Sequence, residues 1–167
     1  IKDSAISDCK NVADVVIVND ITSIGAAAFS GCSSLKNIQI PDSVNSIGNR
    51  AFSGCSSLVD IKLPEKITNI GNSLFKDCSS IERITIPQNV TQIGDEAFSG
   101  CLGLKEINLP LCLTDMGDAV FKDCQSLTSI SMPDGISNIG ESLFEGCSSL
   151  NEVVIPQKVT DIPYGMF

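Results

Sequence analysis

The residues with the most chemical potential in this chain are its cysteines, eight among 167 residues. Seven of them, Cys9, Cys32, Cys55, Cys78, Cys101, Cys124 and Cys147, stand 23 positions apart. A regular file of thiols could bridge, hold zinc or supply nucleophiles. Zinc needs four converging ligands, usually from cysteine pairs a few residues apart, and the chain has no such pair and no His. Disulfides are not forbidden by distance, because strands stacked about 4.8 Å apart fall within the Cα separation a bridge allows. Equivalent side chains in stacked coils point the same way, however, and seven members cannot all pair. The file therefore reads as a column of small buried thiols. Cys112 lies off it, two residues past Pro110, where other coils carry Ser43, Lys66, Asn89, Gly135 and Lys158. It reads as an exposed turn thiol, open to an inter-chain bridge or to oxidation, with nothing basic beside it to activate it.

Other reactive groupings are as limited. Without His there is no Ser-His or Cys-His pair. Adjacent carboxylates such as Asp95-Glu96 read as the start of a helical turn, where the dipole favours negative charge. No Gly-rich phosphate cradle is present. The Ser33-Ser34, Ser56-Ser57, Ser79-Ser80 and Ser148-Ser149 pairs read as turn residues. Asn89-Val90-Thr91 is a glycosylation sequon, meaningful only in a eukaryotic secretory host. No catalytic residue, metal or cofactor is expected, and the chain is read as non-enzymatic. The net charge of −9 argues against nucleic acid and against anionic membrane surfaces. No apolar run is long enough to insert in a membrane.

What positions these residues is a repeat. Every Phe stands on one 23-residue column, from Phe29 to Phe167. Gly25 to Gly140 and Pro41 to Pro156 form two more, beside apolar columns such as Ile38, Ile61, Ile84, Ile107, Ile130 and Val153. No insertion breaks the register from Cys9 onward. Such a period signals a solenoid.

A single coil can be read in order. Ile38 and Ile40 alternate inward from a short strand that Pro41 ends, since Pro offers no amide hydrogen. Val44 and Ile47 face back in, compatible with a second short extended segment. Gly48 is expected to take a backbone shape closed to other residues. Asn49, Asn72, Asp95 and Asp118 follow their glycines and suit helix N-caps. One helical turn should then bury Ala51 and Phe52, closed by Gly54 or, in the next coil, Asp77. A lone coil buries too little to offset its ordering entropy, so stability must come from stacking.

The pattern I-P-x-x-V-x-x-I-G-x-x-A-F-x-x-C-x-x-L resembles the BspA-like leucine-rich repeat, most plainly from Ile40-Pro41 through Leu58 and from Ile86-Pro87 through Leu104. The resemblance implies an α/β solenoid: a right-handed leucine-rich-repeat superhelix with a parallel sheet on one side and short helical turns on the other. It also implies an extracellular or surface-displayed array, associated with adhesion to host matrix proteins and with coaggregation. Residues 1–167 are read as a single domain of about seven 23-residue coils. Ile6 replaces Phe, Val18 replaces Pro and Pro163 replaces Gly, and neither end carries a polar capping repeat. The expectation is a segment of a longer array or, alternatively, ends that stack on another copy.

In such an array the core columns are fixed by packing and the outward columns are free. The candidate binding residues are therefore on the sheet face: Asn37, Asp60, Arg83, Glu106 and Ser129 in one column, Gln39, Lys62, Thr85, Asn108 and Ser131 in the next. A protein partner, with a host extracellular matrix protein as the example the resemblance supplies, would dock there. The absence of aromatic residues on this face points to weak multivalent contact, or to a structural spacer that carries another domain away from the cell surface. Asp95, Glu96, Asp118, Glu141 and Glu145 lie on the other side and are expected to keep it soluble.

Overall fold

Two short strands per coil, rather than one, carry the architecture of the computed structural model, which describes residues 1–18 and 20–167. The first strand of each coil gives β1 (Asp14–Val16), β3 (Asn37–Gln39), β5 (Asp60–Ile61), β7 (Arg83–Thr85), β9 (Glu106–Asn108), β11 (Ser129–Ser131) and β13 (Glu152–Val154). The second gives β2 (Ser23–Ile24), β4 (Ser46–Ile47), β6 (Asn69–Ile70), β8 (Gln92–Ile93), β10 (Asp115–Met116) and β12 (Asn138–Ile139). Pairing is parallel throughout: β1–β3–β5, β7–β9 and β11–β13 on one side, β2–β4 and β6–β8–β10–β12 on another. Partners are equivalent residues of successive coils, as in Ile84 with Ile107 and Ile70 with Ile93. Ile47 does belong to a second extended segment, which forms its own ladder, whereas Val44 lies just before it and its amide closes a turn onto the Pro41 carbonyl at 3.0 Å.

The third side is not helical. Among the described residues there is no helix, which corrects the expected helical turns. The reason lies in where the amide hydrogens go. Arg50, Phe52 and Gly54 donate to Asn72, Leu74 and Lys76 of the following coil at 3.0, 3.1 and 2.7 Å, while Ala51, Ser53 and Cys55 between them make local turn bonds. An α-helix would direct all of these amides along its own axis. Here alternate amides point at the neighbour instead, and a left-handed residue in each coil, such as Arg50 (φ 59) or Ser73 (φ 54), makes the reversal. Left-handed backbone costs roughly 1–2 kcal/mol for a residue with a Cβ, so the inter-coil bonds must outweigh it. Gly54 (φ 74) and Asp77 (φ 60) supply a second left-handed position, at the point where the turn was expected to end.

Two further expectations change with the helix. Asn49, Asn72, Asp95 and Asp118 are not N-caps. Each Oδ1 accepts the amide of the equivalent residue one coil on: Asn72 N to Asn49 at 3.0 Å, Asp95 N to Asn72 at 3.2 Å, Asp118 N to Asp95 at 3.0 Å, Glu141 N to Asp118 at 2.8 Å. The Asp95-Glu96 pair likewise has no helix dipole to complement. The glycines before these residues are not conformational specialists, because Gly48 and Gly71 do not have positive φ. They are there for close approach. A Cβ on Gly48 would sit 2.5 Å from the Ala26 backbone nitrogen, and one on Gly71 2.5 Å from Asn49 Oδ1.

The core is a file of stacked columns. Phe29 through Phe167 stack ring on ring at 5.6 to 5.9 Å between centroids, and all but Phe167 are buried. Offset stacks of this kind add about 0.5–1.5 kcal/mol per pair beyond their buried area. Beside them, the thiols of Cys55, Cys78, Cys101 and Cys124 are buried and all eight cysteines are free.

Candidate functional site

The strip formed by the first strands alternates out, in, out along the chain. Ile38, Ile84, Ile107 and Ile130 point into the core, so their neighbours must point away from it. Asn37, Gln39, Asp60, Lys62, Arg83, Thr85, Glu106, Asn108, Ser129 and Ser131 are accordingly all exposed, and the register sets them in two adjacent rows along the solenoid. Exposed Val16 and Val154 flank the second row at its ends.

Much of the polarity in the strip is satisfied within it. Asn37 Nδ2 donates to Asp14 Oδ1 at 2.8 Å, and Arg83 Nε meets Glu106 Oε2 at 3.3 Å. One row further out, Lys105 pairs with Glu82 at 3.0 Å. These are cross-strand pairs between neighbouring coils, largely exposed, so each contributes at most about 1 kcal/mol. Lys62 has no ion-pair partner among the described residues. It sits at a shallow depression of about 340 Å³ whose rim includes Asp60, Glu65, Arg83 and Thr85 and whose wall includes Pro87. Such a surface offers hydrogen bonds and both signs of charge, without an aromatic anchor.

The turn side is also paired. Glu96 accepts from Lys76 at 2.7 Å and from Ser73 at 3.2 Å, and the Lys76 ammonium holds its carboxyl below the usual glutamate value. Glu145 is held down by Lys122 in the same way, at 2.9 Å.

The thiol column is chemically quiet. Burial, with a further contribution from the neighbouring thiols, raises Cys55 to about 12 and Cys78 and Cys101 well above the ordinary cysteine value, and burial raises Cys147 to about 11. Thiolate is the reactive form, so these sulfurs are not nucleophiles. Cys112 is exposed, and its Sγ contacts the Gln88 and Val90 carbonyls at 2.7 and 3.2 Å. Ser43 makes the equivalent bond to Ile21 at 2.8 Å, so the thiol replaces a hydroxyl in a turn.

The outer surface of the second ladder lies outside the columns that the sequence marks as candidate binding residues. Its signal was nonetheless periodic: Thr22, Thr68, Thr91, Thr114 and Thr160 recur at multiples of the repeat, and all are exposed.

Comparison with known proteins gives a consistent picture. A family model described as BspA type Leucine rich repeat region matches in 6 copies, over residues 1–125 and 69–167. Among curated proteins no sequence matches. The crystal structure of a leucine-rich repeat protein from T. pallidum is 30% identical with a TM-score of 0.86, over 91% of this chain and 71% of that one. A leucine rich cell surface protein from Faecalibacterium prausnitzii is 27% identical with a TM-score of 0.64, over 97% of this chain and 58% of that one. The pneumococcal vaccine antigen PcpA, 18% identical with a TM-score of 0.61 over 89% of this chain and 52% of its own, shares the fold. The chain thus spans little more than half the length of the last two.

Proposed function

The chain belongs to the BspA-type leucine-rich repeat family, and from that membership we propose that it is a non-catalytic protein-interaction and adhesion module of a surface-displayed or secreted protein. Its partner is a protein, with host extracellular matrix proteins as the first class to test, and the contact is made by the strip of first strands. The observation that carries this reading is the contrast between columns. Phe, Cys and Ile columns barely vary from coil to coil, whereas both exposed rows change residue at every step and the first of them changes charge as well. A rigid frame with a variable, exposed, extended face is what repeat arrays offer to proteins. The description of the F. prausnitzii protein as a cell surface protein supports the location.

The test is binding of the chain to immobilised matrix proteins, with Lys62→Glu/Arg83→Glu as the variant. Binding should weaken by about tenfold or more, with only a small fall in the thermal midpoint, since both side chains are exposed and the Arg83–Glu106 pair that is lost contributes at most about 1 kcal/mol. No binding in the wild type, or binding indifferent to reversal of the whole strip, would overturn this reading. The second reading is the spacer. The absence of an aromatic on the strip and the pairing of Arg83 with Glu106 favour it, and it expects adhesion to track the number of coils and not the identity of the exposed rows.

A further inference from the structure

The turn side carries a hollow of about 400 Å³ that shares no residue with the strip of first strands. Its floor is formed by Ser99, Gly100 and Ala119. Two of these make the space. Ala119 stands in the column that carries Arg50 and Glu96 in earlier coils, and Gly100 in the column that carries Asp77 and Asp123. At both places a long or charged side chain is missing.

Ser99 is the polar group of the floor. It is only 6% exposed, with Lys76 and Lys122 in its own column one coil before and one coil after. Its backbone is used by the fold: the amide donates to the Glu96 carbonyl at 3.1 Å and the carbonyl accepts the Asp77 amide at 2.8 Å. Its Oγ has no hydrogen-bond partner among the described residues. No sealed polar side-chain atom goes unpartnered there, so this oxygen opens onto the hollow.

Charge decides what can enter. Lys76 is committed to Glu96 at 2.7 Å and Lys122 to Glu145 at 2.9 Å. Asp77, Asp118, Asp123 and Glu141 also line the hollow, and none of them has an ion-pair partner among the described residues. Asp77 Oδ1 leans over Gly100, where a Cβ would collide with it. An anion would find both ammonium groups occupied and four free carboxylates around it. A bare metal ion needs converging ligands, and among the described residues no three acidic, His or Cys side chains are grouped to supply them. The acceptors are spread instead over coils about 4.8 Å apart. That spread suits a cation whose donors point outward. A guanidinium presents five N–H groups in a flat fork, whereas an ammonium is a compact point charge. We infer that the hollow receives the guanidinium of an arginine side chain from a basic protein segment, with Ser99 Oγ and the Asp77 and Asp123 carboxylates as its acceptors. The site is separate from the first-strand strip and holds whichever reading of that strip is correct.

The test titrates the whole isotope-labelled chain with an end-blocked Gly-Arg-Gly peptide, and with the same peptide carrying lysine or the neutral isostere citrulline in place of arginine. The arginine peptide should shift the amide resonances of Ser99, Gly100 and Ala119 saturably and leave those of Asn37 and Thr85 on the strip unmoved. The lysine peptide should bind about tenfold or more weaker, and the citrulline peptide weaker still. Asp77→Asn/Asp123→Asn removes two charges at left-handed positions (φ 60 and 59) that asparagine tolerates. It should lower the affinity about tenfold or more while the protein still melts cooperatively. Ser99→Ala should lose about tenfold as well. Ala119→Arg, which follows Arg50 in its column, should fill the hollow and abolish binding. Absence of a saturable shift at the three amides, equal binding of the lysine or citrulline peptide, or undiminished affinity in Ser99→Ala and the asparagine pair would each overturn the proposal.

Discussion

The Cys78 thiol donates to the Phe52 carbonyl, 26 residues earlier and one coil back, at 3.1 Å. That carbonyl already accepts the Cys55 amide within its own coil, also at 3.1 Å. Six coils repeat the arrangement, from Cys32 on Ile6 to Cys147 on Phe121. A carbonyl has two lone pairs, and the ladder uses only one of them here. The thiol is the small side chain that both packs against Phe and occupies the other. This gives the Cys column a reason beyond its volume.

Cys78→Ala should therefore cost about 1–3 kcal/mol, from a carbonyl left half-satisfied and a small void. Urea denaturation would read the loss. Cys112→Ala, whose sulfur is exposed, should change stability by no more than about 0.5 kcal/mol. Equal costs at the two positions would refute the role assigned to the thiol column.

Thiol labelling separates the same two environments. With native protein at about pH 8, one thiol should react quickly, and Cys112→Ser should remove that phase. Full labelling should require unfolding, because Cys32, Cys55, Cys78, Cys101 and Cys124 are buried and their pKa values raised. Rapid native labelling of several thiols would contradict the packing described.

The stack of rings makes Phe75 irreplaceable in volume. Phe75→Ala should cost about 3–5 kcal/mol, enough to abolish cooperative unfolding in a chain whose coils depend on their neighbours. Phe167, which is 70% exposed at the end of the stack, should tolerate the same change far better. The two melting curves, compared directly, decide the point.

Gly71 and Asn49 form a testable pair. Gly71→Ala alone should destabilise, since the new Cβ meets Asn49 Oδ1 at 2.5 Å. The other nearest atoms, Asn49 Cα and N, are at 3.4 and 3.5 Å. Asn49→Ala should then rescue most of the loss, giving a positive coupling of about 1 kcal/mol or more in a double-mutant cycle. Additive losses would mean that Gly71 is needed for its backbone conformation after all.

Acid should weaken the turn side. Glu96 has a folded pKa below its unfolded one because Lys76 donates to it. Its contribution is therefore present above the ordinary glutamate value of 4.5 and is lost as pH falls through the lowered folded value. The Glu96 side chain is 38% exposed, so screening limits the effect to at most about 1 kcal/mol. Glu96→Gln should reduce stability at neutral pH and converge with the wild type as acid protonates the lowered carboxyl. A constant difference across that range would remove the ion pair as the cause.

The sequence by itself determined the period, the parallel register and the core. Equal spacing of Phe29, Ile38 and Cys55 with their successors leaves no way to bury them except in columns, and columns force equivalent residues to pair. It also determined which rows face solvent on the first strands, because Ile38 inward requires Asn37 and Gln39 outward. What it could not determine was where the backbone amides between Gly48 and Cys55 would go. The same residues are compatible with a helical turn whose amides bond within the coil. Only the presence of a neighbour at ladder distance makes the alternative available, in which Phe52 donates to Leu74 and Asn49 receives Asn72. That choice depends on partners 22 and 23 residues away, so no local pattern encodes it. The same contact turned the glycine column from a matter of conformation into one of space.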